Sequence, residues 1–155
     1  TIEDNFDRLD GLLHNAAILG NRSPVELYDP EIWSKVMHVN ATAPFLLSRA
    51  MIPLLRKSAD ASVIFTSSGA GRKAKAYWGA YAVSKAGAEA LVRGFAADID
   101  GSVAVVDPGY VATDLSGGKG RDPDDVAPMF VWAARDAEDV NGEVLDLRAW
   151  KSATR

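Results

Sequence analysis

Short apolar runs that stop at polar or glycine–proline punctuation recur along this chain, each separated from the next by a helical pattern. "GLLHNA" spans residues 11–16, "SVIFTSS" 62–68 and "SVAVVDPG" 102–109, and a last run, "GEVLDL", follows at 142–147. Helical stretches lie between them, near 29–56, 79–98 and 123–135. Strands alternating with helices pair in parallel through right-handed crossovers, which predicts an α/β open sheet with helices on both faces. Ligands of such sheets sit in the crevice beyond the carboxyl ends of the strands. Three of the runs end in His14-Asn15, Ser67-Ser68-Gly69 and Asp107-Pro108-Gly109, so these groups are expected to converge on one edge.

A chain of 155 residues, 48% of them hydrophobic, is one domain's worth and can bury a sizeable core. Its net charge of −4 argues against nucleic acid or anionic lipid as a partner. Charged residues or proline interrupt every apolar stretch, so no membrane span is expected. No basic-then-apolar leader opens the sequence, and cysteine is absent, which excludes disulfides and thiolate chemistry and fits a reducing cytoplasm.

"TIEDNFDRL", 1–9, reads as the end of a helix. A second helix is expected to start near Asp29, whose carboxylate can cap it with Pro30 in the first turn. Helical pattern then runs from about Asn40 to Arg56, with Pro44 and Pro53 placed to bend or break it. Phe45, Leu46, Leu47, Met51, Ile52, Leu54 and Leu55 make this stretch apolar on nearly every side. It should cover the sheet on one side and meet another subunit on the other.

Tyr81 and Lys85, four apart in the 79–98 helix, share a face. An ammonium close to a phenol favours the phenolate, and a Tyr tuned this way can pass a proton to or from an alcohol or carbonyl oxygen. Ser68, at the end of the neighbouring strand, could hydrogen-bond the same oxygen. Tyr-x-x-x-Lys by itself is a common accident; the context carries the reading. Ser68 precedes Tyr81 by thirteen residues, Asn40 lies upstream, and "PGYVAT" follows a later strand at 108–113.

This combination resembles the short-chain dehydrogenase/reductase family, from about residue 9 to 147. The segments "LDGLLHNAAILG" and "VIFTSSGAGRKAKAYWGAYAVSK" are closest in wording to a bacterial branch of uncharacterised oxidoreductases. The resemblance implies a Rossmann-like, doubly wound three-layer fold and hydride transfer between NAD or NADP and a carbonyl or secondary alcohol. It makes Tyr81 the general acid/base, with Ser68 orienting the substrate oxygen. Lys85 would lower the phenol's pKa and hold the nicotinamide ribose, and Asn40 would anchor a water behind it. Asn15 and Ala16 would lie beside the adenine-side ribose. Pro108, Gly109 and Val111 would cup the nicotinamide, and Thr113 would approach its carboxamide or the phosphates. A homodimer or homotetramer through the helices near 40–56 and 79–98 is expected.

The sequence also departs from that pattern. The Gly-rich turn that holds a pyrophosphate is not among these residues: "HNAAILG" follows a middle strand, and "GAGRKAK" leads from the catalytic strand into a loop. An N-terminally incomplete single domain is therefore expected, whether a fragment, a chain that pairs with a separate element, or a truncated chain without cofactor binding that acts as an association module. Ala17 stands where the family usually has Gly. The helix-to-strand turn before Ser102 looks tight, and loop 116–122 looks like a short Gly-rich lid. His14 and His38 suggest a Ser-His-Asp hydrolase with Ser68, but no G-x-S-x-G elbow surrounds that serine. Trp78 is a candidate pocket wall, while Arg72, Lys73 and Lys75 read as a solvated loop.

Overall fold

A computed structural model describes residues 1–73 and 75–155. Four strands, β1 (Gly11–His14), β2 (Ser62–Thr66), β3 (Ser102–Asp107) and β4 (Val144–Asp146), form one sheet in the order β1-β2-β3-β4. Every pairing is parallel, with Leu13 opposite Ile64, Ile64 opposite Ala104, and Val106 opposite Leu145. Among the described residues five α-helices accompany them: α1 (Pro30–Met37), α2 (Ala43–Leu55), α3 (Gly79–Asp98), α4 (Pro123–Arg135) and α5 (Leu147–Ala153).

Alternation along β2 and β3 divides the core into two layers. Val63, Phe65, Val103 and Val105 face α2 and α3, where they meet Leu54, Leu55, Val92 and Phe95. Ile64, Ala104 and Val106 face the other way and meet Met129 and Ala133 of α4, with Trp150 of α5 packed alongside. Both faces being covered, the interiors of β2 (Val63 to Phe65) and β3 (Val103 to Val106) are continuously apolar rather than alternating. Each fully buried aliphatic or Phe side chain contributes about 1.5–3 kcal/mol. This is the expected three-layer α/β architecture.

Details differ from the sequence reading in instructive ways. Residues 1–9 make one turn, closed by Phe6 N–H donating to Ile2 carbonyl at 3.0 Å, and no helix. Ile2 and Phe6 remain exposed, so the apolar face that would stabilise a helix has nothing to bury against. Pro44 and Pro53 do not break the second helical region. Pro44 lies in the first turn of α2, where its missing N–H costs nothing, and Pro53 sits two residues from the helix end. The discontinuity is instead a π turn at His38–Thr42, in which Ala43 N–H reaches back to the His38 carbonyl. The run at 142–147 is strand only for three residues. Asp146 then accepts hydrogen bonds from the Arg148 and Ala149 N–H groups, both at 2.9 Å, and caps the unforeseen α5. The tight turn before β3 exists: Gly101 has φ +136°, and a Cβ there would lie 2.9 Å from the Ala61 carbonyl oxygen.

Candidate active site

Because the sheet is parallel, β1, β2 and β3 all end on the same edge, as their punctuation predicts. Beyond β2, Ser67 is buried and Ser68 opens a 3-10 turn, Gly69–Gly71, by accepting a hydrogen bond from Ala70 N–H at 3.3 Å. That turn lies directly on α3. A Cβ on Gly71 would come within 2.9 Å of the Ala86 nitrogen and 3.0 Å of the Lys85 carbonyl carbon, so only glycine permits the approach.

Tyr81, Lys85 and Glu89 recur every four residues on one face of α3, and each is no more than 6% exposed. The Lys85 ammonium donates to the Thr66 carbonyl at 2.8 Å and lies 5.6 Å from the centre of the Tyr81 ring. Burial lowers the Lys85 pKa to about 8, against the pull of the Asp107 and Glu89 carboxylates. Burial raises the Tyr81 phenol, the Asp107 charge raises it further, and hydrogen bonding with Ser68 opposes both. The sequence reading expects a lowered phenol; here desolvation outweighs every other influence on Tyr81, and one N–H of the Lys85 ammonium donates to a backbone carbonyl.

Arg72 is exposed, as the loop reading expects, with one addition. Its guanidinium turns inward and pairs with both Glu89 and Asp107, whose side chains are nearly buried. Ser67 Oγ donates to Glu89 Oε1 at 2.7 Å, and Asp107 Oδ1 accepts the Gly109 N–H at 3.0 Å. Sequence reasoning missed Glu89, and it placed Asp107 at the site edge without a role. A signal was available, since Glu89 continues the Tyr81–Lys85 spacing and Asp107 ends a buried strand.

The remaining candidates are distributed around this centre. Asn40, buried in the π turn, clamps the chain after β1 to α3. Its Oδ1 accepts the Ile18 N–H at 2.9 Å, and its Nδ2 donates to the Ile18 carbonyl at 2.9 Å and to Ser84 Oγ at 3.0 Å. Asn15 Oδ1 accepts from Thr66 Oγ1 at 2.9 Å, joining the ends of β1 and β2, and Ala16 beside it is exposed. Pro108 is buried, while Gly109, at φ +75°, and Thr113 are open to solvent. Val111 bridges Arg121, and Ala112 N–H donates to the Arg121 carbonyl at 2.8 Å, which folds loop 116–122 back onto the 110–112 segment. Trp78 meets Tyr81 edge-on at 5.7 Å, with Arg22 and Lys75 placed over its indole. His14 pairs with Ser48 Oγ at 2.7 Å rather than with Ser68, which removes the hydrolase triad.

The parallel sheet with its flanking helices is shared with known proteins. The family model described as short chain dehydrogenase matches residues 1–124. The uncharacterized oxidoreductase YciK of Escherichia coli K12 is 38% identical, with 85% of this chain and 56% of the relative covered. A short chain dehydrogenase of Escherichia coli CFT073, complexed with NADPH, superposes with a TM-score of 0.86 at 36% identity, covering 94% of this chain and 65% of that one. One from Shigella flexneri 2a, complexed with NADP, gives 0.87 at 35% identity, covering 95% and 66%. The chain thus spans less than two thirds of the length of each. On the family model's match over residues 1–124 and the shared fold, the chain belongs to the short-chain dehydrogenase family.

Proposed function

We propose that this chain carries the proton-transfer machinery of an NAD(P)-dependent oxidoreductase that interconverts a small carbonyl compound and the corresponding secondary alcohol. The observation that carries the reading is the buried Tyr81–Lys85 pair on α3, facing Ser68 at the end of β2. The NADPH and NADP held by two similar structures support a nicotinamide cofactor. The donor set fits one: of the three N–H groups of Lys85, the Thr66 carbonyl takes one, which leaves donors for ribose hydroxyls. Asn15 and Ala16 beyond β1, and Pro108, Gly109, Val111 and Thr113 beyond β3, would line the remainder. The nicotinamide, when bound, supplies or accepts the hydride.

In the reducing direction the Tyr81 phenol gives its proton to the substrate oxygen as hydride reaches the carbon. In the oxidising direction the phenolate takes the hydroxyl proton. Ser68 donates a hydrogen bond to that same oxygen and stabilises charge growing on it. Lys85 stabilises the phenolate, and Asn40 holds α3 against the loop after β1. Tyr81→Phe should lower kcat by about 10²- to 10⁴-fold with cofactor affinity unchanged. Turnover within threefold of the parent would remove Tyr81 from the proton-transfer role.

A second reading, an association module without cofactor binding, draws on the exposed Phe45, Leu46 and Leu47 of α2 and Val83 of α3. Fluorescence titration with NADPH and NADH separates the two. Saturable quenching supports the oxidoreductase; none by this chain but binding by an N-terminally longer one supports a fragment of it, and none by either supports the module.

A further inference from the structure

Two cations and two carboxylates meet behind the Tyr81 phenol, drawn from three separate parts of the chain. Lys85 and Glu89 come from α3, Asp107 from the end of β3, and Arg72 from the loop after β2. Arg72 is the only member that touches both acids, and it does so with different nitrogens, Nη1 to Glu89 and Nη2 to Asp107. Each acid has a second duty. Glu89 accepts from Ser67 Oγ, next to Ser68, while Asp107 holds the Gly109 N–H in the turn after β3. His14, on the neighbouring strand end, is turned to Ser48 and Phe65, so it adds no charge to this group.

We propose that Arg72 is a positioning residue for the Tyr81–Lys85 pair: it pins the Ser68 turn, helix α3 and the Pro108–Gly109 turn together and neutralises the two carboxylates that face Lys85. The consequence is directional. Asp107 raises Tyr81, and Asp107 and Glu89 together raise Lys85. Without the guanidinium, both carboxylates act on the pair unopposed, so both groups hold their protons to higher pH. Alcohol oxidation, which needs the phenolate, then loses rate near neutrality. Without Asp107 the sign reverses. A merely structural clamp would give no such opposition of sign.

This rests on Tyr81 and Lys85 being the proton-transfer pair, but its test does not need turnover. The Lys85 side chain can be titrated by NMR of ¹³C-labelled lysine, its resonance assigned with Lys85→Arg. Arg72→Met should move the Lys85 midpoint up by about one unit or more, Asp107→Asn should move it down, and Arg72→Lys should restore most of the parent value. In an NAD(P)+ assay with a secondary alcohol probe, Arg72→Met should shift the pH–rate profile upward and cut kcat at pH 7 by about tenfold, with KM within threefold. Midpoints that do not move, or that move the same way in Arg72→Met and Asp107→Asn, overturn the proposal. If Arg72→Met does not fold, Arg72→Gln takes its place and must raise the midpoint, against Asp107→Asn and Glu89→Gln. Both acid variants must then lower the midpoint, and failure of either to do so also overturns it. An active Tyr81→Phe enzyme with the expected Lys85 shifts would sink the catalytic reading and leave the placement of Arg72 intact.

Discussion

His14 sits at the end of β1 with its ring 4.4 Å from that of Phe65 and its Nε2 on Ser48. Burial lowers its pKa from 6.5 to about 4. Between these values the unfolded chain binds a proton that the folded chain refuses. The contribution of His14 to stability is thus whole above pH 6.5 and is lost progressively as pH falls toward 4, up to about 3 kcal/mol in all. Urea denaturation at pH 7 and pH 5 should show His14→Gln losing less stability on acidification than the parent; equal losses would show that the ring does not titrate as described. The same physics explains what the sequence could and could not disclose about single residues. Ser68, Tyr81 and Lys85 were legible because their spacing follows from a strand, a turn and a helix face. The direction of the phenol's shift was not, because it depends on how deeply α3 is buried and on a carboxylate 26 residues further along, Asp107. The pairing of Arg72 was illegible for a related reason: its two acids are brought to it by other elements.

At the scale of elements, the close approach of the Gly69–Gly71 turn to α3 decides whether Ser68 and Arg72 reach their partners. The atoms that a Gly71 Cβ would strike belong to backbone, which cannot swing aside like a side chain. Gly71→Ala should therefore push the turn off the helix, costing about 1–3 kcal/mol in denaturant titrations and reducing turnover along with the Arg72 contacts. A variant of unchanged stability and rate would mean that the turn has room to spare. The order of strands and helices was readable here, since alternating apolar runs and helical patterns leave few parallel arrangements. Element ends were less so. α5 escaped notice because its seven residues carry little periodicity, and its start is set by one side chain, Asp146. The N-terminal helix was expected from a pattern of Ile2, Phe6 and Leu9, which is insufficient where two of the three stay exposed.

For the molecule as a whole, β2 and β3 are covered on both faces, yet apolar surface remains outside, Leu13 of β1 included. Phe45, Leu46 and Leu47 at the start of α2 are each more than 40% exposed, and Phe45 stacks on Phe95 of α3. Such a patch favours self-association through these helices. Leu46→Glu combined with Leu47→Glu should lower the sedimentation mass to that of one chain, while an unchanged mass would place any association elsewhere. Among the described residues no helix is long and apolar enough to cross a membrane, so this patch does not mark a span. Its position depends on the π turn at His38–Thr42. In an α-helix each residue advances the direction of the side chains by about 100°, so one extra residue in that turn works as a phase setting between α1 and everything after it. With the present phase, Ser48, Met51 and Leu55 are directed into the protein while Phe45, Leu46 and Leu47 look out, and Asn40 points at Ile18. Shortening the turn by one residue would rotate α2 by more than a quarter of a circle against α1. Inner and outer faces would be redrawn together, so that the surface available to a partner and the support of the site could not change separately.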